Sequence, residues 1–341
     1  MTSSFTIVVT TIAPPTRAME NLASKLSQMN GTLYVVGDLK GPENYPLPNT
    51  KFLSFAHQGQ QPWQLARLLP SAHYTRKNLG YLLALQDKPD CIIETDDDNA
   101  PLPSFWTPRA RQQQALRLTS AGWVNVYRCF TEEMIWPRGF PLENLQVGPT
   151  SASMLAKDST ESCEALIQQG LANGDPDVDA VYRLTRGLPF SFQDATPVFL
   201  GKDAWCPFNS QNTTFFREAF PLLYLPSFCT FRMTDIWRSF VAQRCLWQMD
   251  SGVLFTSPTV FQDRNEHRLL KDFEQEIPGY LGNARIAEIL SAISLASGRN
   301  IEVVCANLLS CYEKLVAEGF FPSKEIPLLQ AWIADLKQIE Y

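Results

Sequence analysis

The sequence predicts an α/β fold with mostly parallel central strands and a helical appendage at its C-terminal end, on three observations. Residues 5–95 alternate strand-like and helix-like segments in the order β-α-β-β-α-β. An apolar run, Cys91-Ile92-Ile93, passes straight into Glu94-Thr95-Asp96-Asp97-Asp98-Asn99, so acids stand at the carboxyl end of a strand, where open α/β sheets bind ligands. From about Asn283 the apolar spacing is helical throughout, through Ile286, Ile289, Leu290, Ile293 and Leu295 and two further amphipathic runs to Tyr341.

Taken in order, Phe5 to Ile12 is rich in β-branched residues and alternates little, as a buried strand does, and Pro14-Pro15 ends it. Thr16 is placed to cap a helix from Arg17 to Met29, whose Met19, Leu22, Ala23, Leu26 and Met29 recur at helical spacing. Gly31 to Gly37 predicts a second strand, Lys51 to Phe55 a third, and Tyr74 to Gln86 the helix that leads into the acidic strand. From Pro101 to Pro226, Pro, Gly and aromatic residues predominate, and short pieces such as Trp123 to Arg128 and Thr213 to Arg217 read as strands among loops over a substrate site. Thr234 to Met249 predicts a helix capped by Thr234, and Gly252 to Thr256 a strand. The expected organisation is an α/β domain over 1–280 and a helical subdomain over 281–341.

The chain has 341 residues, 45% hydrophobic and 19% charged, enough for a substantial core. Its net charge of -6, without a dense Lys/Arg stripe, argues against a dedicated nucleic-acid binder. No secretory signal and no apolar run of bilayer length is seen, and the chain begins directly at the first strand. The eight cysteines are scattered without zinc-ribbon spacing or disulfide-scaffold density, so a reducing cytoplasm is the expected compartment.

Three consecutive carboxylates repel one another unless a divalent cation, hydrogen bonds or water offset the charge, and oxygen ligands favour Mg or Mn. The plainer alternative is a solvated acidic turn. Arg76-Lys77-Asn78 opens the preceding helix and suits an anionic ligand, although an exposed helix start also carries such residues without function. Asp175-Pro176-Asp177-Val178-Asp179 alternates acids with turn residues out of register with an EF-hand, and reads as a helix cap. Asn209 and Asn212 lie in a polar turn suited to sugar hydroxyls or to ordinary turn chemistry. Asp235 is flanked by Arg232 and Arg238 in a helix's first turn, where the dipole favours an acid regardless of function. His267, one of three histidines, follows a strand and is a candidate metal ligand.

Taken together, these strings resemble the STELLO-like glycosyltransferase family, once a domain of unknown function. The resemblance is carried in order from about residue 5 to 275 by Ile7-Val8-Val9-Thr10-Thr11-Ile12, Lys77-Asn78-Leu79-Gly80-Tyr81, Glu94-Thr95-Asp96-Asp97-Asp98-Asn99, Trp136-Pro137-Arg138-Gly139-Phe140-Pro141-Leu142, Asp175-Pro176-Asp177-Val178-Asp179-Ala180, Pro207-Phe208-Asn209-Ser210-Gln211-Asn212-Thr213, Asp235-Ile236-Trp237-Arg238 and Gln262-Asp263-Arg264-Asn265-Glu266-His267. The helices beyond about residue 280 lie outside it. The plant members are membrane-anchored, and no anchor is seen here.

The resemblance implies a GT-A, Rossmann-like nucleotide-diphosphosugar transferase fold and a metal-dependent enzyme using a nucleotide sugar, most simply a UDP-sugar, with a saccharide, protein or small-molecule acceptor. By that analogy Asp96 lies toward the ribose, Asp98 binds Mn2+ or Mg2+ with Asp96 and His267 as further ligands, and Asp97 orients the sugar. Thr10, Thr11, Arg17, Arg76, Lys77 and Asn78 sit near the nucleotide. Asn209, Asn212, Arg232 and Arg238 contact substrate, and Asp235, with Asp97, takes the catalytic role opposite the anomeric carbon. Two other readings stay open: a sugar-nucleotide mutase or self-glycosylating protein, and a non-catalytic scaffold of the same fold. A phosphohydrolase with a strand-end nucleophile fits less well, because the first strand ends in Thr10-Thr11 and prolines.

Overall fold

The computed structural model of the chain describes residues 5–145, 160–263 and 268–341. Its strands are β1 (Thr6–Thr10), β2 (Thr32–Val36), β3 (Thr50–Leu53), β4 (Cys91–Thr95), β5 (Asn99–Pro101), β6 (Gln112–Leu118), β7 (Gly122–Trp123), β8 (Glu161–Gly174), β9 (Val198–Leu200), β10 (Ala204–Trp205), β11 (Asn212–Phe216) and β12 (Gly252–Gln262). Ten of them form one mixed sheet in the order β3-β2-β1-β4-β11-β8-β6-β9-β12-β5, and β7 pairs with β10. The first half is the expected parallel sheet: β1 runs parallel to β2 and β4, and β2 to β3. Order inverts where β11 enters antiparallel beside β4, pairing Asn212 with Thr95. That places the 207–211 turn beside the acidic residues that follow β4.

The sheet is covered on both faces because β1 is apolar on both. Ile7 and Val9 pack with Met19, Leu22 and Leu26 of the helix Arg17–Gln28, while Val8 packs with Leu79 and Leu82 of the helix Lys77–Leu85. Gly80 permits that second contact, since a Cβ there would meet Val36 Cγ2 at 2.6 Å and Val8 Cγ1 at 2.8 Å. Thr16 caps its helix as expected, accepting from Met19 N at 3.2 Å.

Several expectations need correction. The polar, Ala- and Gln-rich segment Glu161–Gly174 is a fourteen-residue strand, held between β11, β6 and β12. Of Trp123 to Arg128, only Trp123 belongs to a strand, the two-residue β7, and Val126–Cys129 is a 3-10 turn. Thr234 does not cap its helix; it is the first helical residue of Thr234–Leu246, and Met233 precedes it without a side-chain cap. The strand at Gly252 runs on to Gln262.

The expected boundary at 280/281 falls inside the helix Leu269–Ala292, and the helices that follow pack against the α/β part. The helices Ile301–Ala317 and Glu325–Ile339 bury Tyr312, Leu315, Leu329 and Trp332 in the same hydrophobic core as Val8, Leu79 and Phe240. Asp335 accepts from the backbone of Gln64 at 2.8 Å and Leu65 at 2.9 Å, supplying the cap that the helix Gln64–Leu68 lacks in its own sequence. Glu325 accepts from Ser227 N, Phe228 N and the Tyr224 hydroxyl. Among the described residues, no helix is long and apolar enough to cross a membrane.

Candidate functional site

The acidic turn after β4 is tied down on several sides and is no freely solvated loop. Thr11 donates its hydroxyl to Asp97 Oδ2, and Thr16 Oγ1 donates to the Asp97 carbonyl at 2.5 Å. Asn99 Nδ2 donates to Thr95 Oγ1 at 3.1 Å and to the Gln211 carbonyl at 2.8 Å. Gln262, at the end of β12, donates to both Asp98 oxygens at 3.1 and 3.2 Å. Three other chain segments, at Thr11–Thr16, at Gln211 and at Gln262, therefore converge on this turn.

They line a cavity of about 440 Å3 at the carboxyl ends of β1 and β4. Of the residues expected from sequence, Thr10, Thr11, Asp96, Asp97, Asp98, Arg232 and Asp235 line it together. Asp96 is one-third exposed, with the fully buried Lys77 ammonium 3.6 Å away. Burial raises the Asp96 carboxyl to about 7; Lys77 opposes this, and Asp98, Asp97 and Asp235 add to it. Lys77 is held by the carbonyls of Thr95 at 3.0 Å and Ser210 at 3.3 Å and by the Tyr74 hydroxyl at 3.0 Å, so it fixes the floor from beneath.

On the wall beyond Ser210, Asp235 stands in the first turn of its helix. Ser210 N and Oγ both donate to Asp235 Oδ2 at 3.2 Å, while Ser210 Oγ also meets the Tyr74 hydroxyl. Burial would raise Asp235, but the Arg138 guanidinium more than offsets it and holds the carboxyl below its ordinary value.

Other expected residues are engaged elsewhere. The Arg76 guanidinium bonds the carbonyls of Pro70 and Leu69 and the Gln58 side chain. Asn78 bonds both backbone groups of Leu225, at 2.9 Å each. Asn209 accepts from Gln211 N, and Asn212 Nδ2 donates to Thr259 Oγ1 at 2.6 Å on a different cavity. Arg238 is paired with Glu94 in the core at 2.6 Å. Arg17 is exposed on its helix and does not line the cavity. His267 falls outside the described residues.

The cavity also takes residues that the sequence reading did not select: Asp38, Lys40, His73, Arg138, Asp177 and Gln262. Asp38 follows β2 as Asp96 follows β4, so the strand-end argument would have reached it. Its carboxylate accepts from the backbone of Leu39, Ala72 and His73. Asp177 and Arg138 lay in strings already noted, but only folding joins them.

The donor set bears on a metal. Among the described residues, no group of three or more His, Cys, Asp or Glu side chains is arranged to hold an ion by protein ligands alone. The three carboxylates of the acidic turn, one of them raised by burial and further by its acidic neighbours, nonetheless fit a hard divalent cation that keeps water and takes phosphate oxygens, as Mg2+ does in substrate-bridged sites.

Comparison with known proteins agrees with the sequence resemblance and extends it. Residues 232–341 match the model of the family described as STELLO glycosyltransferases, so the C-terminal helices, which the motif reading left outside the resemblance, are part of it. Two Arabidopsis thaliana proteins, described as "Probable glycosyltransferase STELLO2" and "Probable glycosyltransferase STELLO1", are each 28% identical over 98% of this chain. The chain spans 45% and 44% of their respective lengths. Among solved structures, glucosyl-3-phosphoglycerate synthase from Mycobacterium tuberculosis, in complex with Mn2+, uridine diphosphate and phosphoglyceric acid, has a TM-score of 0.41 and 12% identity, covering 83% of this chain and 78% of that one. Over nearly its whole length the chain is thus similar to the two STELLO proteins, and the family model matches its residues 232–341.

Proposed function

We propose that the protein is a metal-dependent glycosyltransferase of GT-A type that moves a sugar from a nucleotide-diphosphate sugar, of the UDP class, to an acceptor hydroxyl. The observation that carries this reading is the sharing of one cavity by the Asp96–Asp98 turn and Asp235, with the Thr10-Thr11 strand end beside them. Asp98, with Asp96, would hold Mn2+ or Mg2+, which would neutralise charge on the departing diphosphate. The names of the curated relatives agree with transfer of a sugar.

The chain's own residues divide the remaining work. Thr10 and Thr11 border the nucleotide, and Asp96 faces the ribose. Asp97, oriented by Thr11, contacts the sugar. Lys77, buried and bonded to Thr95 and Ser210, keeps the two walls in register and serves the nucleotide through Asp96 rather than by direct contact. Arg232 lines the acceptor side, anchored by Glu276 at 2.8 Å. Asp235 presents a fixed negative charge to the anomeric carbon, where positive charge develops as the glycosidic bond to phosphate breaks.

The test is a thermal-shift screen of UDP-, GDP- and ADP-sugars with and without Mn2+. A donor at one hundred times its Kd should stabilise by roughly 2.7 kcal/mol, and only with the metal present. Stabilisation by none of them, with no nucleotide diphosphate released from any, would refute the proposal.

A further inference from the structure

We infer that Arg138 is the positioning residue of this site, holding Asp235 in one orientation as an anion without itself touching the substrate. The inference rests on the proposed placement of Asp235 at the anomeric carbon. Arg138 lies in the turn Trp136-Pro137-Arg138-Gly139, on the cavity wall, and a cavity arginine in a protein that handles diphosphates would ordinarily be assigned to a phosphate. Its hydrogen bonds argue otherwise.

A guanidinium has five N–H donors, and all five are engaged within the protein. Nε donates to Asp177 Oδ1 at 2.8 Å, and Nη2 donates to Asp177 Oδ2 at 2.8 Å and to Asp235 Oδ2 at 2.9 Å. Nη1 donates to Asp235 Oδ1 at 3.0 Å and to the Arg232 carbonyl. No donor is left for a ligand. Asp235 is equally filled, since Oδ1 also accepts from Ile236 N at 3.1 Å and Oδ2 accepts from Ser210 N and Oγ. The carboxylate plane is therefore fixed by the fork on one side and by the 210 turn on the other.

The backbone makes the fork's position independent of side-chain freedom. Arg138 N donates to the Asp177 carbonyl at 2.9 Å. Gly139 has φ +86, and a Cβ there would meet Ile236 Cγ2 at 2.4 Å, so this turn rests directly on the residue after Asp235. Lysine would keep the charge at this position but could not span two carboxylates, because only arginine presents a planar fork. The role is therefore one of angle and distance more than of net charge.

The experiment measures UDP release from the UDP-sugar that most stabilises the wild type with Mn2+ in the thermal-shift screen, together with calorimetric binding of UDP with Mn2+, in the wild type, Arg138→Lys, Arg138→Ala and Asp235→Ala. Arg138→Lys should melt close to the wild type and bind UDP within about threefold of it, yet lose about 100-fold in kcat, the cost of a displacement of about 1 Å at the reacting centre. Guanidinium ion in solution should recover part of the Arg138→Ala rate and none of the Asp235→Ala rate. Should Arg138→Ala fail to fold, Arg138→Lys alone decides. An unchanged kcat in Arg138→Lys overturns the inference while leaving the proposed function standing. A UDP affinity that falls in step with kcat also overturns it, by making Arg138 a ligand group. A wild type that releases no UDP overturns both.

Discussion

Replacing Arg238 by methionine separates a residue that binds substrate from one that holds the core together. Arg238 is 1% exposed and Glu94 0%, and the guanidinium meets both carboxylate oxygens, at 2.6 and 3.0 Å. Tyr81 donates a further hydrogen bond to Glu94 Oε2, and Phe215 lies under the guanidinium with its ring centre at 5.2 Å. Removing the cation leaves a carboxylate without its counter-charge in a dry site, which costs about 3–5 kcal/mol. With an unfolding entropy near 0.7 kcal/mol/K for a chain of this length, the melting temperature should fall by about 4–7 °C. The double variant Glu94→Gln/Arg238→Met removes both charges and should recover to within about 2 kcal/mol of the wild type. The assay pairs thermal unfolding with calorimetric binding of UDP and Mn2+, whose Kd should stay within about threefold. Wild-type melting with a tenfold loss of UDP affinity would refute the reasoning and return Arg238 to the ligand.

Three further outcomes follow from the packing. Glu325→Ala leaves Ser227 N, Phe228 N and the Tyr224 hydroxyl unpaired in the interior and should cost about 3 kcal/mol, read as a loss of about 4 °C in melting temperature. Gly80→Ala forces a methyl group against Val8 and Val36 and should destabilise by about 1–3 kcal/mol without changing donor affinity; an unchanged denaturation midpoint would contradict that contact. A chain ended at residue 280 should lose the cooperative near-ultraviolet signal of the folded protein, because Tyr312, Leu329 and Trp332 leave the core shared with Val8; a native-like melt would instead favour a separable helical subdomain.

What the sequence makes legible here is local. β1, β2 and the acidic strand are short apolar runs of strand length, the helix after β1 carries its own period, and the prolines after β1 mark its end. The Asp96–Asp98 turn is recognisable because acids after an apolar strand need a reason to be there. β8 escapes notice because Glu, Ala, Leu and Gln favour helices in isolation, and only strand neighbours on either side make the extended form the better partner. Arg76, Asn78 and Arg238 look like ligand groups because charge and amide in sequence do not say which way a side chain turns. In the fold they satisfy the carbonyls of Leu69 and Pro70, the backbone of Leu225 and the carboxylate of Glu94. Conversely, Arg138 and Asp177 are separated by 39 positions, and their pairing with Asp235 exists only in three dimensions. The amphipathic C-terminal runs show that helices form, but not that their apolar faces complete the main core.

The central claim, a metal-bridged diphosphate site at the acidic turn, is tested most directly by titrating UDP into the wild type and Asp98→Asn calorimetrically, with Mn2+ and then with the metal chelated. The account predicts binding by the wild type with Mn2+, loss of that binding on chelation, and a fall of at least about tenfold, some 1.4 kcal/mol, in Asp98→Asn with Mn2+ present. UDP binding of equal affinity in all of these conditions would contradict it.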